Sequence, residues 1–205
     1  VKFLSTLKKI PGKICLLRVD FNVAHSTGST GSQQAGSGQG AFRLEASLPT
    51  LKFLVKNCEK VLILSHRGRP SGIQPDLSLK IFVPFLEKHL GMPVTFLEGI
   101  PAVLPRGDAI LMENLRFWPG EEENDLEFAK KLAKLGDFYV NDAFAVCHRE
   151  NASVTRLPKL LPSYAGFLLE KEINTLKAVM EKPEKPLVLI LGGSKIEDKA
   201  PVIKN

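Results

Sequence analysis

Polar and basic side chains recur where short apolar runs of this sequence end. Four such runs are followed by Asp20 and Asn22, by His66 and Arg69, by Arg116, and by Arg149, in that order. Guanidinium groups bind phosphate and carboxylate through two parallel hydrogen bonds, so arginine suits ligands that carry these groups. If the four runs are parallel strands, their carboxyl ends meet at one edge of a sheet, where ligands bind. The pattern therefore predicts a pocket for a small anion with several charges.

Each of these residues also has a structural alternative, so the prediction depends on the joint pattern. Asp20 and Asn22 are typical turn formers. His66 is also compatible with a hydrogen-bonded histidine at the edge of the core, and the arginines are compatible with surface ion pairs. His148, which precedes Arg149, is assigned to the structural alternative.

The elements that would position these residues alternate between apolar runs and segments of helical periodicity. The runs that predict strands are 14–23, 61–66, 94–99, 109–115, 138–142 and 187–193. Segments 43–57 and 124–136 repeat apolar residues every three or four positions, and 162–183 is predicted as one long helix that stops near Pro183. Uniformly apolar strands are typical of a parallel sheet that is buried on both faces. The sequence therefore predicts a doubly wound, mostly parallel α/β sheet with helices on both faces, a Rossmann-like three-layer fold.

The charge balance suits an anionic partner but gives little support to nucleic acid. The chain has 28 Lys and Arg against 22 Asp and Glu, for a formal net charge of +6 over 205 residues. Lys130, Lys131 and Lys134 lie on a helical pattern and are interpreted as a solvated face. No arginine-rich run is interleaved with aromatic residues, so we expect no nucleic acid partner.

Composition also favours a cytoplasmic protein without a bound metal. No run of about 18 apolar residues is present, and the amino-terminal segment lacks the apolar region of a signal peptide, so no membrane partner is expected. Cys15, Cys58 and Cys147 show neither a CxxC motif nor the spacing of zinc ligands. A reduced compartment is therefore expected. Ser26 to Gly40 is rich in Gly, Ser and Gln, the composition of a flexible linker.

Five motifs resemble, in order, those of the phosphoglycerate kinase family. They are RVDFNV from Arg18, SHRGRP from Ser65, ENLRF from Glu113, VNDAF from Val140 followed by HR, and LGGSKIEDK from Leu191. The resemblance implies a two-domain enzyme of glycolysis, usually monomeric. It implies transfer of a phosphoryl group between 1,3-bisphosphoglycerate and ADP, giving 3-phosphoglycerate and ATP. Mg²⁺ would accompany the nucleotide.

The resemblance assigns ten residues to the phosphoglycerate site. They are Asp20, Phe21, Asn22, Arg43, His66, Arg67, Gly68, Arg69, Arg116 and Arg149. Asp20 and Asn22 would hydrogen-bond the hydroxyl and carboxylate end of the glycerate. Arg43, at the start of a predicted helix, would close the site and stabilise the transferring phosphoryl group.

The sequence departs from the family pattern at four places. The family usually has proline where Ala24 stands, and its connecting loop is shorter and less rich in Gly and Ser than Ser26 to Gly40. Arg67 replaces a usual leucine and adds charge beside the site. Ala145 to Cys147 replace the residues that usually precede the His-Arg pair. The loop makes Arg43 the assignment that depends most on the resemblance.

The LGGSKIEDK segment lacks the spacing of a P-loop. Gly192 and Gly193 are compatible with a simple turn between strand and helix, or with backbone amides at a helix N-terminus that face phosphate. The resemblance assigns Lys195 to the transferring phosphoryl group and Lys199 to the nucleotide phosphates. Phosphoryl transfer requires mainly positioning and charge neutralisation, which lysines, an arginine and Mg²⁺ would supply.

The resemblance also predicts the domain organisation. Residues 1–162 would bind phosphoglycerate, 163–183 would form an interdomain helix, and 184–205 would begin a nucleotide-binding domain. The family is about twice this length, so the chain is expected to be a substrate-binding part without turnover of its own.

Two alternatives of other classes stay open. A non-catalytic anion-binding or scaffolding module would bind phosphoglycerate without rate enhancement, even with the missing half supplied. A nucleic-acid-binding protein would show steep salt dependence of oligonucleotide binding that loss of Arg149 leaves unchanged.

Overall fold

A parallel sheet organises the amino-terminal part of the chain. The computed structural model describes residues 1–10, 12–23, 39–181, 183–186 and 188, without the side chains of 39–41. The strands are β1 (Ile14–Arg18), β2 (Lys60–Leu64), β3 (Val94–Leu97), β4 (Ala109–Met112), β5 (Phe138–Asn141) and β6 (Ser163–Ala165). All pair in parallel, in the order β3-β4-β2-β1-β5-β6. The predicted parallel sheet is therefore confirmed.

Helices cover both faces of this sheet. They are α1 (Gln39–Asn57), α2 (Val83–Leu90), α3 (Pro119–Glu122), α4 (Leu126–Ala133), α5 (Leu157–Leu160) and α6 (Phe167–Glu181). Successive strand residues point to opposite faces. Leu17 of β1 accordingly packs in a core cluster with Leu51 of α1, whereas Leu16 packs in a second cluster with Leu132 of α4. The predicted three-layer arrangement is confirmed, with a core on each side of the sheet.

The chain reverses its direction of winding at β1. On one side it forms β2, then the edge strand β3, and then β4 between them, before it crosses to β5 and β6 on the other side. In register, Arg18 at the end of β1 pairs with Leu64 of β2 and with Asn141 of β5. In sheets of this kind, ligands bind outside the carboxyl ends of the strands at such a switch point.

The prediction of one continuous helix over 162–183 is wrong at its beginning. Ser163–Ala165 is strand β6, paired with Tyr139–Asn141, and α6 begins only at Phe167. Backbone hydrogen bonds explain the difference. The carbonyl of Pro162 accepts a hydrogen bond from the N–H of Tyr139, and the N–H of Gly166 donates one to the carbonyl of Asn141. Hydrogen bonds to a neighbouring strand thus replace those of a helix. The apolar periodicity of one segment does not indicate whether such a neighbouring strand is present.

Other predictions fall partly or wholly outside the described residues. The strand predicted at 187–193 lies almost entirely outside the described residues. The linker predicted for Ser26 to Gly40 also lies outside them, except for Gln39 and Gly40, which belong to α1. The chain divides into two compact units, Val1–Glu172 and Ile173–Asn205. Among the described residues, no helix has the length and apolar character needed to cross a membrane.

Candidate functional site

The ends of the central strands bring several polar residues to one edge of the sheet. Arg18 lies between the ends of β2 and β5. His66 stands two residues beyond Leu64, the last residue of β2, and Arg116 stands four residues beyond Met112, the last of β4. Because the strands are parallel, these residues occupy the same edge, and we take it as the candidate site.

Asp20, Asn22 and Arg43 form one hydrogen-bonded group there. Nη1 of Arg43 lies 2.8 Å from Oδ2 of Asp20 and 3.4 Å from the carbonyl oxygen of Asn22. Oδ1 of Asp20 accepts from the N–H of Asn22 at 3.0 Å, which shapes the turn after β1. The side chain of Arg43 is 46% exposed, whereas that of Asp20 is 12% exposed. Asp20 therefore anchors one nitrogen of a guanidinium that is otherwise open to solvent.

Gly68 connects the turn after β1 to the segment after β4. Its N–H donates to Oδ1 of Asn22 at 2.9 Å, and its carbonyl accepts from Nη1 of Arg116. Its φ is +65°, and a Cβ at this position would lie 2.9 Å from both methyl carbons of Leu77. The positive φ therefore favours glycine here, and any other residue would also displace the Leu77 side chain.

Phe21 contributes to the site through its backbone. Its side chain is fully buried, and its ring packs against Phe82 at a centroid distance of 5.4 Å. Its N–H donates to the hydroxyl of Ser65 at 2.9 Å, and that hydroxyl donates to the carbonyl of Val19 at 2.9 Å. The buried ring and this backbone hydrogen bond together fix the positions of Asp20 and Asn22, the residues before and after Phe21.

His66 is a buried, neutral histidine surrounded by arginines. It is 1% exposed, and its Nδ1 lies 3.0 Å from Nη2 of Arg18. Burial lowers the pKa of His66 to about 2, and the positive charges of Arg18, Arg116, Arg149 and Arg43 add to this effect. The ring is therefore uncharged at physiological pH.

Arg116 is a fixed cation at the same edge. Its side chain is 3% exposed, and its Nε lies 3.1 Å from a carboxylate oxygen of Glu122. Its N–H donates to Oδ1 of Asn114 at 3.1 Å. Burial lowers the pKa of Arg116 and Glu122 raises it; since the guanidinium does not lose its proton in proteins, the charge stays.

The guanidinium of Arg67 is hydrogen-bonded to backbone carbonyls of the loops. It donates to the carbonyls of Val23 at 3.3 Å, Asp76 at 2.8 Å and Ser78 at 3.3 Å. It also lies 5.7 Å from the centroid of the Phe82 ring. At 2% exposure, Arg67 joins the loops after β1 and β2 and is turned away from solvent.

Arg69 and Arg149 differ from the other arginines. Arg69 is exposed and Arg149 is half-buried. Neither forms a salt bridge or a side-chain hydrogen bond with another described residue. Arg149 lies close enough to His66 to lower its pKa. His148 is exposed. Within the described part of the chain, these two guanidinium groups therefore have no anionic partner.

Sequence reasoning missed the buried arginine at the centre of this edge. Arg18 is 2% exposed, and its Nε donates to the hydroxyl of Ser153 at 3.2 Å. That hydroxyl donates to Glu121 at 2.6 Å. An arginine inside a run predicted to be buried on both faces was a usable signal, because such a charge requires partners. Nothing comparable marks Ser153 or Glu121, which lie on later, polar segments.

The predicted nucleotide-binding residues, Gly192, Gly193, Lys195 and Lys199, lie outside the described residues. Within the residues that are described, no group of three or more His, Cys, Asp or Glu side chains could hold a metal ion. The site therefore consists, as far as it is described, of arginines, one neutral histidine and the Asp20 and Asn22 turn.

The sequence profile described as "Phosphoglycerate kinase" matches residues 5–205 of this chain. The chain belongs to the phosphoglycerate kinase family. The predicted resemblance is confirmed, and the match extends across both the described sheet and the carboxyl-terminal segment.

Curated relatives of this chain agree with the profile. It is 43% identical to a phosphoglycerate kinase of Dictyoglomus turgidum over 204 residues, covering 96% of this chain and 50% of that protein. It is 42% identical to the cytosolic phosphoglycerate kinase 3 of Arabidopsis thaliana over 212 residues, covering 98% and 51%. A chloroplastic phosphoglycerate kinase 1 of the same plant is also 42% identical, covering 98% and 42%. The chain thus spans about half the length of these relatives, and they occur in more than one compartment.

Solved structures of the family have the same fold. The phosphoglycerate kinase of Coxiella burnetii has a TM-score of 0.82 at 33% identity, covering 98% of this chain and 50% of that one. That of Pyrococcus horikoshii OT3 has a TM-score of 0.80 at 30% identity, covering 100% and 52%. Both comparisons support the parallel sheet described above.

Proposed function

We propose that this chain binds 3-phosphoglycerate and 1,3-bisphosphoglycerate at the arginine-rich edge of the sheet. The reaction proposed for the whole protein is the transfer of a phosphoryl group between 1,3-bisphosphoglycerate and ADP, giving 3-phosphoglycerate and ATP in glycolysis. The observation that carries the proposal is the convergence of Arg18, Arg43, Arg116 and Arg149 on one buried, neutral histidine.

The charge at this edge suits an anion of this size. Asp20 pairs with Arg43, and Glu122 pairs with Arg116, but Arg69 and Arg149 have no carboxylate partner among the described residues. A carboxylate together with a phosphate supplies about 2.5 to 3 negative charges at neutral pH. Such a ligand can accept paired hydrogen bonds from guanidinium groups at both of its ends.

The geometry suggests a role for each remaining group. The Asp20 carboxylate and the Asn22 side chain stand at the turn after β1 and are proposed to bind the glycerate hydroxyl and carboxylate end. Arg43 uses only Nη1 in its contacts with described residues. Its other nitrogens are proposed to neutralise the transferring phosphoryl group. Positioning and charge neutralisation of this kind need no covalent intermediate on the protein.

The nucleotide part of the proposal depends on residues outside those described. Gly192, Gly193, Lys195 and Lys199 are proposed to contact ATP or ADP, which would enter with Mg²⁺ as a substrate complex. The proposed domains remain 1–162, 163–183 and 184–205, except that the helix of the second segment begins at Phe167, after strand β6. A cytoplasmic monomer remains the proposed state. Because the chain spans about half the length of its relatives, binding of 3-phosphoglycerate is the property that can be tested on it directly.

Isothermal titration with 3-phosphoglycerate tests the site. Arg69→Ala and Arg149→Ala are each expected to weaken binding by roughly 1.5–3 kcal/mol, or about 10–150-fold, as for lost hydrogen bonds to a charged group. Arg106→Ala is the matched control, because Arg106 is exposed and precedes the amino end of β4, at the opposite edge of the sheet. Binding that is unchanged in both site variants would show that the proposed pocket is wrong.

A further inference from the structure

A buried chain of hydrogen bonds runs from Glu121 to His66. The hydroxyl of Ser153 donates to Oε1 of Glu121 at 2.6 Å, and the N–H of Ser153 donates to Oε2 at 2.9 Å. Nε of Arg18 donates to the same hydroxyl at 3.2 Å, and Nη2 of Arg18 lies 3.0 Å from Nδ1 of His66. All four residues are at most 2% exposed. The four side chains are therefore a connected unit that is almost fully shielded from water.

The direction of each bond in this unit follows from its neighbour. A carboxylate only accepts, so the single hydrogen of the Ser153 hydroxyl belongs to Glu121. The hydroxyl oxygen is then left to accept from Arg18. A guanidinium only donates, so Nδ1 of His66 has to be the acceptor and cannot carry a proton. In the neutral ring, the proton is consequently on Nε2.

The surroundings keep the ring in this neutral form. Burial lowers the pKa of His66 to about 2, and four arginines on different elements act in the same direction. Among the described residues, Nε2 makes no hydrogen bond to another side chain or carbonyl, since the only hydrogen bond of the ring is through Nδ1. The Nε2–H is therefore a donor that the described part of the protein does not use.

We propose that Glu121 and Ser153 act through Arg18 as positioning residues that hold His66 as the Nε2–H tautomer, a hydrogen-bond donor to the bound anion. The anion part rests on the proposed function, since an oxygen of the carboxylate or phosphate would accept this bond. The opposite tautomer would present a lone pair to a negatively charged ligand and repel it. Glu121 also offsets the buried charge of Arg18 through the Ser153 hydroxyl, on the side of Arg18 opposite His66. The edge of the sheet that forms the candidate site therefore stays positively charged.

Long-range ¹H–¹⁵N correlation spectra of the ligand-free chain test the positioning directly. In the unmodified protein, we expect a bare Nδ1 and a protonated Nε2 for His66, without titration between about pH 5 and 8. Ser153→Ala and Glu121→Gln are each expected to give tautomer exchange or a ring that titrates in this range. Ser47→Ala is the matched control, because its buried hydroxyl donates to the Leu44 carbonyl at 2.8 Å, within α1.

The outcomes separate the two proposals. A protonated Nδ1 in the unmodified protein overturns the positioning proposal without any variant, and so does an unchanged His66 spectrum in folded Ser153→Ala and Glu121→Gln. Titration with 3-phosphoglycerate should show about 3–10-fold weaker binding in both variants and none of this loss in Ser47→Ala. Altered spectra with unchanged binding would refute the role of the tautomer in recognition. Failure of the unmodified protein to bind would instead refute the proposed function, while the spectra would still decide the tautomer.

Discussion

Replacing Asp142 by asparagine is expected to stabilise the protein near neutral pH but not in acid. Asp142 follows β5 and is 1% exposed. Its Oδ1 accepts from the N–H groups of Leu168 and Leu169 at 2.9 and 3.2 Å, at the start of α6. Its Oδ2 is buried and has no hydrogen-bond partner among the described residues. The carboxylate is therefore only half satisfied, with one buried oxygen that no described donor contacts.

The magnitude follows from the pKa of this carboxyl group. Burial raises the pKa of Asp142 from 3.8 to about 6, against smaller opposing effects of Thr50 and the two N–H donors. Between these values the folded protein retains a proton that the unfolded chain has lost, so stability falls as pH rises through this window. The loss reaches about 3 kcal/mol by pH 6 and is constant above it. Asparagine is neutral throughout and avoids it.

Urea unfolding of both proteins between about pH 4 and 8 measures the difference. Asp142→Asn should match the parent near pH 4 and exceed it by up to about 3 kcal/mol near pH 7, or about 6–12 °C in melting temperature. Asp108→Asn is the control of equal charge change, because this exposed carboxylate forms no salt bridge with a described residue and should shift stability by about 0.5 kcal/mol at most. A variant that is less stable than the parent by the same amount at every pH would refute the reasoning.

Three further outcomes are expected. For His66→Gln, chemical denaturation should show a larger free energy of unfolding than the parent below about pH 6.5. The difference should grow by about 1.4 kcal/mol for each pH unit below that value, because folded His66 stays neutral while the unfolded chain binds a proton there. A pH-independent difference would contradict this. Gly136→Ala should destabilise by roughly 1–3 kcal/mol in thermal unfolding, since its Cβ would lie 2.6 Å from Cγ of buried Leu16, whereas Gly99→Ala, with no atom within 4 Å, should not show this steric loss. Arg43→Ala should change the free energy of unfolding by less than about 1 kcal/mol, because its ion pair is half exposed, yet calorimetry should show weaker 3-phosphoglycerate binding; equal binding would remove Arg43 from the site.

Much of the fold could be predicted from local patterns. The apolar runs at 94–99, 109–115 and 138–142 contain the strands that the structure shows there, and the run at 61–66 contains all of β2 except Lys60. Buried strands of a parallel sheet require apolar residues at successive positions. The order of the strands could not be predicted in the same way. It depends on which edges meet in space, and the register that places Arg18 between Leu64 and Asn141 is a non-local property.

The 162–183 segment shows where a local pattern is insufficient. Its apolar spacing predicts a helix throughout, but Ser163–Ala165 hydrogen-bonds to β5. Phe3 at the amino terminus forms a further bridge to Ala165. Partners more than twenty and more than a hundred and fifty residues away thus decide the conformation of three residues, and no window on the sequence includes them.

The sequence by itself determined much of the chemical inventory of the candidate site, namely a turn with Asp20 and Asn22, one histidine, and arginines after several strands, but not the role of Arg18. Only the tertiary structure decided what each arginine does. Arg67 and Arg69 are two positions apart in one motif, yet Arg67 is buried against the carbonyls of Asp76 and Ser78 while Arg69 is exposed. The physical reason is that a residue type sets charge and hydrogen-bonding capacity, whereas burial and partners are set by segments that meet only in the folded chain.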